Sequence, residues 1–472
     1  MAYRIHLKSA QCALDLGDGS ERGEYVCQDY ILNMLGRPHR AVNIMYTYYP
    51  NDKQWPARIS EACADMEVGF AWDYPYDDYP PFSDDGLQFE QMRDIRRHGQ
   101  EVMLTITADC AVTDEQIRHV AEKLSDFGRM FLRVNHECNG NWFTHNRRYS
   151  YEEVADFFVR FSRIVKEVAP NVSMVFCAGL ASDEPDGSGQ YTVEYEDVFA
   201  DAYKIADVWS ADKYLSLHYG WPYDVAEAGG GSYTCDDPKA VFDRYKRTYE
   251  RLSELYGEKP FIQAELNADG DVTGPLRQAG PVSEYYGLVK NDRASFLDGI
   301  SMYQFRDRGR LGLEMEDPNC RNVGIRQPLM GEYIKILRDP FFMPGTEKGD
   351  DIAFPVQLRW GGSEDADGVA IDIELSGTPE FCEVTLCENL SLMMEFNGRW
   401  FYKSKGVRVI DLMPAFFEAP LEGEAVIPLR IFATPPDGVN ENDGRSDWRT
   451  NQYYTMDEEP KLRIRYETPY RS

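Results

Sequence analysis

The segment Met130-Phe-Leu-Arg-Val-Asn-His-Glu137 is a short, mostly apolar run that ends in a carboxylate. The segment Lys259-Pro-Phe-Ile-Gln-Ala-Glu265 has the same form, with a second glutamate at the end of its apolar run. Both runs are near-continuous rather than alternating, which is typical of parallel strands that are covered on both faces. Each glutamate should therefore emerge where a buried strand meets its loop. In a (β/α)8 barrel, the functional side chains stand at this position.

Similar apolar runs recur on both sides of these two segments, between residues 41 and 306. They predict eight strands in all, with Met130–Glu137 as the fourth and Pro260–Leu266 as the seventh. The other six predicted strands are Val42–Tyr49, Glu67–Asp73, Glu101–Ala108, Val172–Gly179, Asp207–Tyr214 and Gly299–Phe305.

Helix signals fall between the predicted strands. Capping boxes begin at Thr113 and Ser150, and Asp237-Pro238 opens a third helix that ends at Gly257. Eight strands alternating with helices predict a (β/α)8 barrel over residues 41–340. An open, doubly wound sheet is the rival architecture, but no GxGxxG motif follows the first predicted strand.

The character of the chain changes near residue 340, where prolines and a glycine punctuate the segment from Arg338 to Gly345. Short β-rich runs separated by Gly, Pro and Asp turns follow, which predicts a β-sandwich over residues 350–472. Residues 1–40 form an N-terminal segment in which Tyr3–Leu7 is a candidate additional strand of the sandwich.

Charge and cysteine content exclude several classes of function. The 472 residues carry 80 acidic and 50 basic side chains, a formal net charge of −30. Such a chain repels nucleic acid and anionic membranes, so we expect neither as a partner. The ten cysteines show no CxxC pair and no Cys/His cluster, and the Asp-rich stretches lack EF-hand spacing. We therefore expect no metal and no cofactor.

The first residues contain no apolar core of a signal peptide. We therefore expect a cytoplasmic protein, with a trimmed signal peptide and secretion as the alternative. The oligomeric state is left open.

Two facing carboxyls at strand ends are the chemistry of a retaining glycosidase, in which the carboxyl groups lie about 5–5.5 Å apart. The fourth and seventh strands face each other across a barrel mouth, so Glu137 and Glu265 are the candidate catalytic residues. Arg133 shares a strand face with Glu137, since residues i and i+4 point the same way, and could stabilise a carboxylate from below.

Further polar and aromatic residues surround this pair and are candidates for substrate binding. His136 and Asn139 flank Glu137, Trp142 begins the next loop, and the hydroxyl of Tyr214 could hydrogen-bond to Glu265. Aromatic rings and histidines close to the ends of other strands complete the predicted substrate-binding set: Trp72, His218, Trp221 and Tyr303.

The stretch from Arg133 to Phe143 resembles the Arg-x-x-His-Glu-x-Asn-Gly-x-Trp segment of family 26 glycoside hydrolases, retaining (β/α)8 enzymes that include β-mannanases. Lys259-Pro-Phe-Ile-Gln-Ala-Glu265 is similar to the nucleophile segment of the same clan. The resemblance implies Glu137 as acid/base, Glu265 as nucleophile and Tyr214 as the tyrosine that orients it.

Two departures bear on the substrate. Leu266-Asn267 stands where family members often have Phe-Gly, and the eighth strand ends in Tyr303 and Phe305 where a Trp platform is common. The sequence thus predicts a retaining β-glycosidase, with β-mannan or manno-oligosaccharide as the first expectation. The alternatives are a same-clan hydrolase of β-xylan or β-glucan, and a carbohydrate-binding protein on a barrel that has lost catalysis.

Overall fold

A computed structural model describes residues 1–18, 25–52, 79–84, 86–125, 127–218, 233–434 and 453–466. Its centre is a closed barrel of eight parallel strands, which confirms the predicted (β/α)8 architecture. Around the barrel the strands are β2 (Ala13–Gly17), β3 (Ala41–Tyr48), β4 (Glu101–Ala108), β5 (Met130–Val134), β6 (Val172–Cys177), β7 (Val208–Asp212), β10 (Phe261–Leu266) and β11 (Gly299–Met302).

The barrel begins earlier than we predicted. Its first strand is β2, which pairs with β11 on one side and with β3 on the other. A buried carboxylate, Asp15, interrupts this five-residue run, so its hydrophobic pattern is weak. Arg40 neutralises Asp15 through a contact of 2.5 Å between Nη2 and Oδ2.

The predicted strand Glu67–Asp73 lies outside the described residues. The closed barrel has its eight strands without this segment, because β3 pairs directly with β4 from Ala41 to Tyr48. We missed the first barrel strand, β2, and counted the segment Glu67–Asp73 as a barrel strand, so the numbering of the later barrel strands is unchanged. Glu137 therefore does follow the fourth barrel strand, and Glu265 does lie on the seventh.

Helices surround the barrel, and the predicted start signals are confirmed. Thr113 and Ser150 each form a complete capping box, and Asp237 caps the helix that ends at Gly257. Among the described residues up to Phe342, the helices are α1 (Gln28–Leu35), α2 (Leu87–Arg97), α3 (Asp114–Leu124), α4 (Thr144–Arg148), α5 (Tyr151–Val168), α6 (Ala200–Ile205), α7 (Pro238–Tyr256), α8 (Gly270–Thr273), α9 (Ala279–Asp292), α10 (Leu329–Leu337) and a 3-10 turn at Pro340–Phe342.

Short strands follow two of the last three barrel strands, β7 and β11, on the side of the mouth. A hairpin comes after β7, and a three-stranded sheet comes after β11. These strands are β8 (Ser216–His218), β9 (Tyr233–Cys235), β12 (Arg306–Asp307), β13 (Glu314–Asp317) and β14 (Cys320–Arg326).

The C-terminal region is built from antiparallel sheets whose apolar faces share one core. The large sheet includes the N-terminal strand β1 (Ala2–Lys8), which lies between β15 (Gly345–Asp351) and β17 (Asp365–Leu375). The small sheet has the order β21-β18-β24. In the described part of the C-terminal region, the elements are β15 (Gly345–Asp351), β16 (Val356–Gly362), β17 (Asp365–Leu375), β18 (Phe381–Thr385), β19 (Ser391–Phe396), β20 (Arg399–Lys403), β21 (Val409–Asp411), α11 (Pro414–Glu418), β22 (Ala425–Thr434), β23 (Tyr454–Met456) and β24 (Lys461–Arg465).

The outer face of the large sheet packs beneath the barrel, at the ends where the barrel strands begin. Trp360 and Trp400 lie in this contact with Leu32 of α1. Gly99, two residues before β4, approaches the Trp360 ring so closely that no side chain would fit there. The sandwich therefore supports the face opposite to the mouth. Among the described residues, no helix combines the length and apolar character needed to cross a bilayer.

Candidate active site

The end of β5 directs Glu137 towards the barrel mouth. After Val134 the backbone takes left-handed conformations at Asn135 (φ 49°) and Glu137 (φ 51°), which few residues other than glycine adopt. The Asn135 side chain stabilises this turn, because it accepts from the Ala108 backbone N–H at 2.7 Å and donates to the Ala108 carbonyl at 3.2 Å. The loop is thereby attached to the neighbouring strand β4.

Glu265 is held through both of its carboxylate oxygens. Arg133 donates from Nη2 to Oε1 at 2.5 Å, and Tyr214 donates its hydroxyl to Oε2 at 2.5 Å. Arg133 is fully buried and remains charged. These two donors fix the orientation of the Glu265 carboxylate.

Asp212, at the end of β7, is a site residue that sequence reasoning missed. Its Oδ2 accepts from Nη1 of Arg133 at 2.7 Å, and its backbone is in register with Glu265 on β10. Burial and the Glu265 carboxylate together outweigh Arg133 and raise the pKa of Asp212 to about 7. The sequence held one sign of this role. Asp212 is two residues before Tyr214, and residues two apart point to the same face of a strand.

Glu137 is in a different environment from Glu265. Its Oε2 accepts a hydrogen bond from the indole Nε1 of Trp142. Burial raises the pKa of Glu137 well above its ordinary value, and the carboxylates of Asp212 and Glu265 raise it further. The pKa of Glu137 is thus raised by its surroundings, whereas Glu265 lies beside the guanidinium of Arg133. Trp142, which we predicted as a sugar platform, is a hydrogen-bond donor to this carboxyl.

His136 lies beside the Glu265 carboxylate as a neutral ring. Its Nε2 is 3.8 Å from Oε1 of Glu265, and the ring packs on Phe143 at a centroid distance of 4.5 Å. Burial, followed by the charge of Arg133, lowers the pKa of His136 well below its ordinary value. The imidazole therefore offers a neutral polar group rather than a second positive charge.

Two residues that we predicted as sugar contacts, Asn139 and Tyr303, make contacts with other protein groups. Asn139 donates its amide to Oε2 of Glu194 at 2.8 Å, because the loop after β6 passes over this position. Tyr303 is buried, with its hydroxyl 3.6 Å from Sδ of Met45 and its ring edge-on to Tyr214 at 5.9 Å. It supports the ring of Tyr214 and does not present an open platform.

His218 joins the loops that follow the sixth and seventh barrel strands. Its ring and its backbone N–H both bond to Oδ2 of Asp269, the backbone contact at 3.1 Å. Burial alone would lower the pKa of His218, but the bond to Asp269 raises it. In the same loop, Oδ1 of Asp271 forms an ion pair with Nη1 of Arg310 at 2.5 Å. Trp72 and Trp221 lie outside the described residues.

Two groups of ligand-type side chains occur in the described part of the chain: His136 with Asp212 and Glu265, and His218 with Asp269 and Asp271. In the first group the guanidinium of Arg133 already bridges the two carboxylates. A cation is therefore supplied there by the protein itself. In the second group Asp269 bonds to His218, and Asp271 pairs with Arg310.

Comparison with known proteins gives likenesses of shape at low sequence identity. The sequence matches no protein-family model and no curated protein. A GH26 beta-mannanase from Bacteroides ovatus is similar with 14% identity and a TM-score of 0.43, covering 70% of this chain and 89% of that one.

Two further solved structures have similar values. A family 39 glycoside hydrolase from Bacteroides cellulosilyticus has 12% identity and a TM-score of 0.41, covering 89% of this chain and 81% of that one. A beta-glucosidase from Thermotoga maritima has 13% identity and a TM-score of 0.44, covering 66% of this chain and 85% of that one.

Proposed function

We propose that this protein is a retaining glycoside hydrolase that cleaves β-linked glycans or oligosaccharides. The observation that carries the proposal is the inequality of the two carboxyls. Glu265 is bound by Arg133 and Tyr214, whereas Glu137 has a raised pKa in the same barrel mouth. Double displacement requires one ionised and one protonated carboxyl at the same pH.

In the first step a carboxylate oxygen of Glu265 attacks the anomeric carbon and forms an ester with the sugar. The bond to the leaving oxygen breaks, and Glu137 transfers its proton to that oxygen. In the second step Glu137, now ionised, removes a proton from water as the water attacks the anomeric carbon, and Glu265 is released. Both carboxyls return to their starting states, so no redox cofactor is required.

For the sugar, we propose a β-mannan or manno-oligosaccharide first, because the segment around Glu137 resembles family 26. Hydrolysis of β-xylan or β-glucan is the alternative. His136 and Tyr214 are the residues that we propose to contact the bound sugar directly, since both lie beside Glu265.

The test uses Glu137→Gln and Glu265→Gln with a panel of β-mannans, xylans, glucans and aryl glycosides. We expect wild-type hydrolysis of at least one class and a loss of at least about 10³-fold in kcat in each variant. Azide should rescue Glu265→Ala with inverted stereochemistry and Glu137→Ala with retained stereochemistry. Wild-type rates in either variant would refute the roles, and binding without hydrolysis would favour a carbohydrate-binding protein.

A further inference from the structure

A third carboxylate, Glu194, lies at the barrel mouth next to the loop of the proposed acid/base. It belongs to the segment after β6, where its backbone N–H bonds to the Leu180 carbonyl at 3.3 Å. Its Oε2 accepts from Asn139, two residues beyond Glu137, at 2.8 Å. The carboxylate therefore extends over the ends of both β5 and β6.

The surrounding residues hold this carboxylate in position and leave it accessible. Gly179 at the end of β6 makes room, because a Cβ there would lie 2.4 Å from Oε2 of Glu194. Nη2 of Arg244 is 4.0 Å from the other oxygen, Oε1, and the Glu194 side chain is nevertheless 45% exposed. Tyr195 follows with a φ of 54° and packs on Tyr151 at 4.4 Å, which fixes the turn.

Position relative to Glu137 determines what such a group can do. An acid catalyst donates its proton to the leaving oxygen, so the departing group must lie on the side of the acid. A carboxylate has about four acceptor sites, and Asn139 occupies one of them. Sugar hydroxyls can donate to the rest, whereas an apolar leaving group would desolvate the charge without replacing its hydrogen bonds.

We propose that Glu194, positioned by Asn139, forms a leaving-group subsite that binds a second sugar residue through its hydroxyls. The substrate class is then an oligosaccharide or polysaccharide rather than a glycoside of an apolar alcohol. The inference rests on the proposed function, because it needs Glu137 to be the acid.

The experiment compares two substrates of the sugar that the wild type cleaves: its 4-nitrophenyl β-glycoside and its β-linked trisaccharide. Glu194→Gln keeps an oxygen for Asn139 and removes only the charge. Its kcat/KM for the trisaccharide should fall roughly ten-fold more than that for the aryl glycoside. Glu184→Gln is the matched control, since Glu184 is an exposed carboxylate of the same loop and its variant should match the wild type on both substrates.

Thermal unfolding of Glu194→Gln should coincide with that of the wild type, and Asn139→Ala should show the same dependence on substrate. An equal loss on both substrates, or no loss, would overturn the subsite and leave the glycosidase proposal intact. A wild type that hydrolyses neither substrate of any sugar in the panel would refute the proposed function, and the subsite with it.

Discussion

At the scale of single residues, neighbouring donors and charges distinguish two side chains of the same type. Glu265 receives one hydrogen bond from a buried guanidinium and one from a phenol, both of which stabilise its charge. Glu137 receives the Trp142 indole and faces other carboxylates, so that its pKa is raised well above the ordinary value. Glutamate alone does not determine the role; the neighbours of each carboxyl do.

Trp142 offers a test of this asymmetry through Trp142→Phe, which retains an aromatic ring and removes the indole N–H. The hydrogen bond from Trp142 lowers the pKa of Glu137, so its loss should raise that pKa further. In the proposed mechanism, activity needs protonated Glu137 and falls as pH rises through this pKa. The basic limb of kcat/KM should therefore move to higher pH in the variant.

A mispositioned acid should also make the rate more sensitive to the leaving group. We expect a loss of about ten-fold for an oligosaccharide, whose leaving sugar needs protonation, and a smaller loss for a dinitrophenyl glycoside. The measurement is a pH profile with each substrate. An unchanged profile with equal losses on both substrates would indicate that Trp142 contributes packing alone.

At the scale of elements, the predictable parts are those whose signals are local. The capping boxes at Thr113 and Ser150 and the cap at Asp237 mark helix starts because a cap is a contact within one turn. Long apolar runs likewise identified seven of the eight barrel strands.

The first barrel strand and Asp212 could not be predicted in the same way. In β2 a charged residue stands in the middle of the strand, and its partner Arg40 lies 25 residues away in the sequence. The raised pKa of Asp212 depends on Glu265 and Arg133, which reach it only after the barrel closes. Pairing between distant elements leaves no periodic pattern in the chain.

The pairing of Asp15 on β2 with Arg40 before β3 predicts a measurable coupling. Asp15 accepts from Nε of Arg40 at 3.0 Å and from the backbone N–H of Ala41 at 3.0 Å, so Asp15→Leu leaves a buried cation without its partner. We expect a loss of about 3 kcal/mol in the free energy of unfolding, measured with urea. The double variant Asp15→Leu/Arg40→Met should recover most of it. A single variant as stable as the wild type would show that the pair does not secure this strand.

At the scale of the whole molecule, a buried histidine lies at the contact between the sandwich and the barrel. His98 follows α2 and contacts three neighbours: Asp29 of α1 at 2.7 Å, the Asp94 carbonyl at 2.7 Å and the Tyr402 ring of the sandwich at 4.2 Å. Burial would lower the pKa of His98, but hydrogen bonds to the two aspartates raise it to about 9. His98 is therefore charged at neutral pH, at the contact between the two units.

The sign of this shift gives a pH-dependent prediction for the intact protein. The folded-state pKa lies above the unfolded value of 6.5, so the stabilisation is complete below 6.5 and is lost as pH rises through about 9. Between pH 7 and 10 the free energy of unfolding of the wild type should fall by about 2–3 kcal/mol because His98 loses its proton. In His98→Gln this part of the decrease should be absent. Thermal unfolding across this range measures that part of the decrease. The control is His119→Gln, because His119 of α3 also has an aspartate partner, Asp84 at 2.6 Å, but is exposed. If His98→Gln declined with pH as steeply as the wild type, the stability of the barrel–sandwich contact would not depend on the charge of His98.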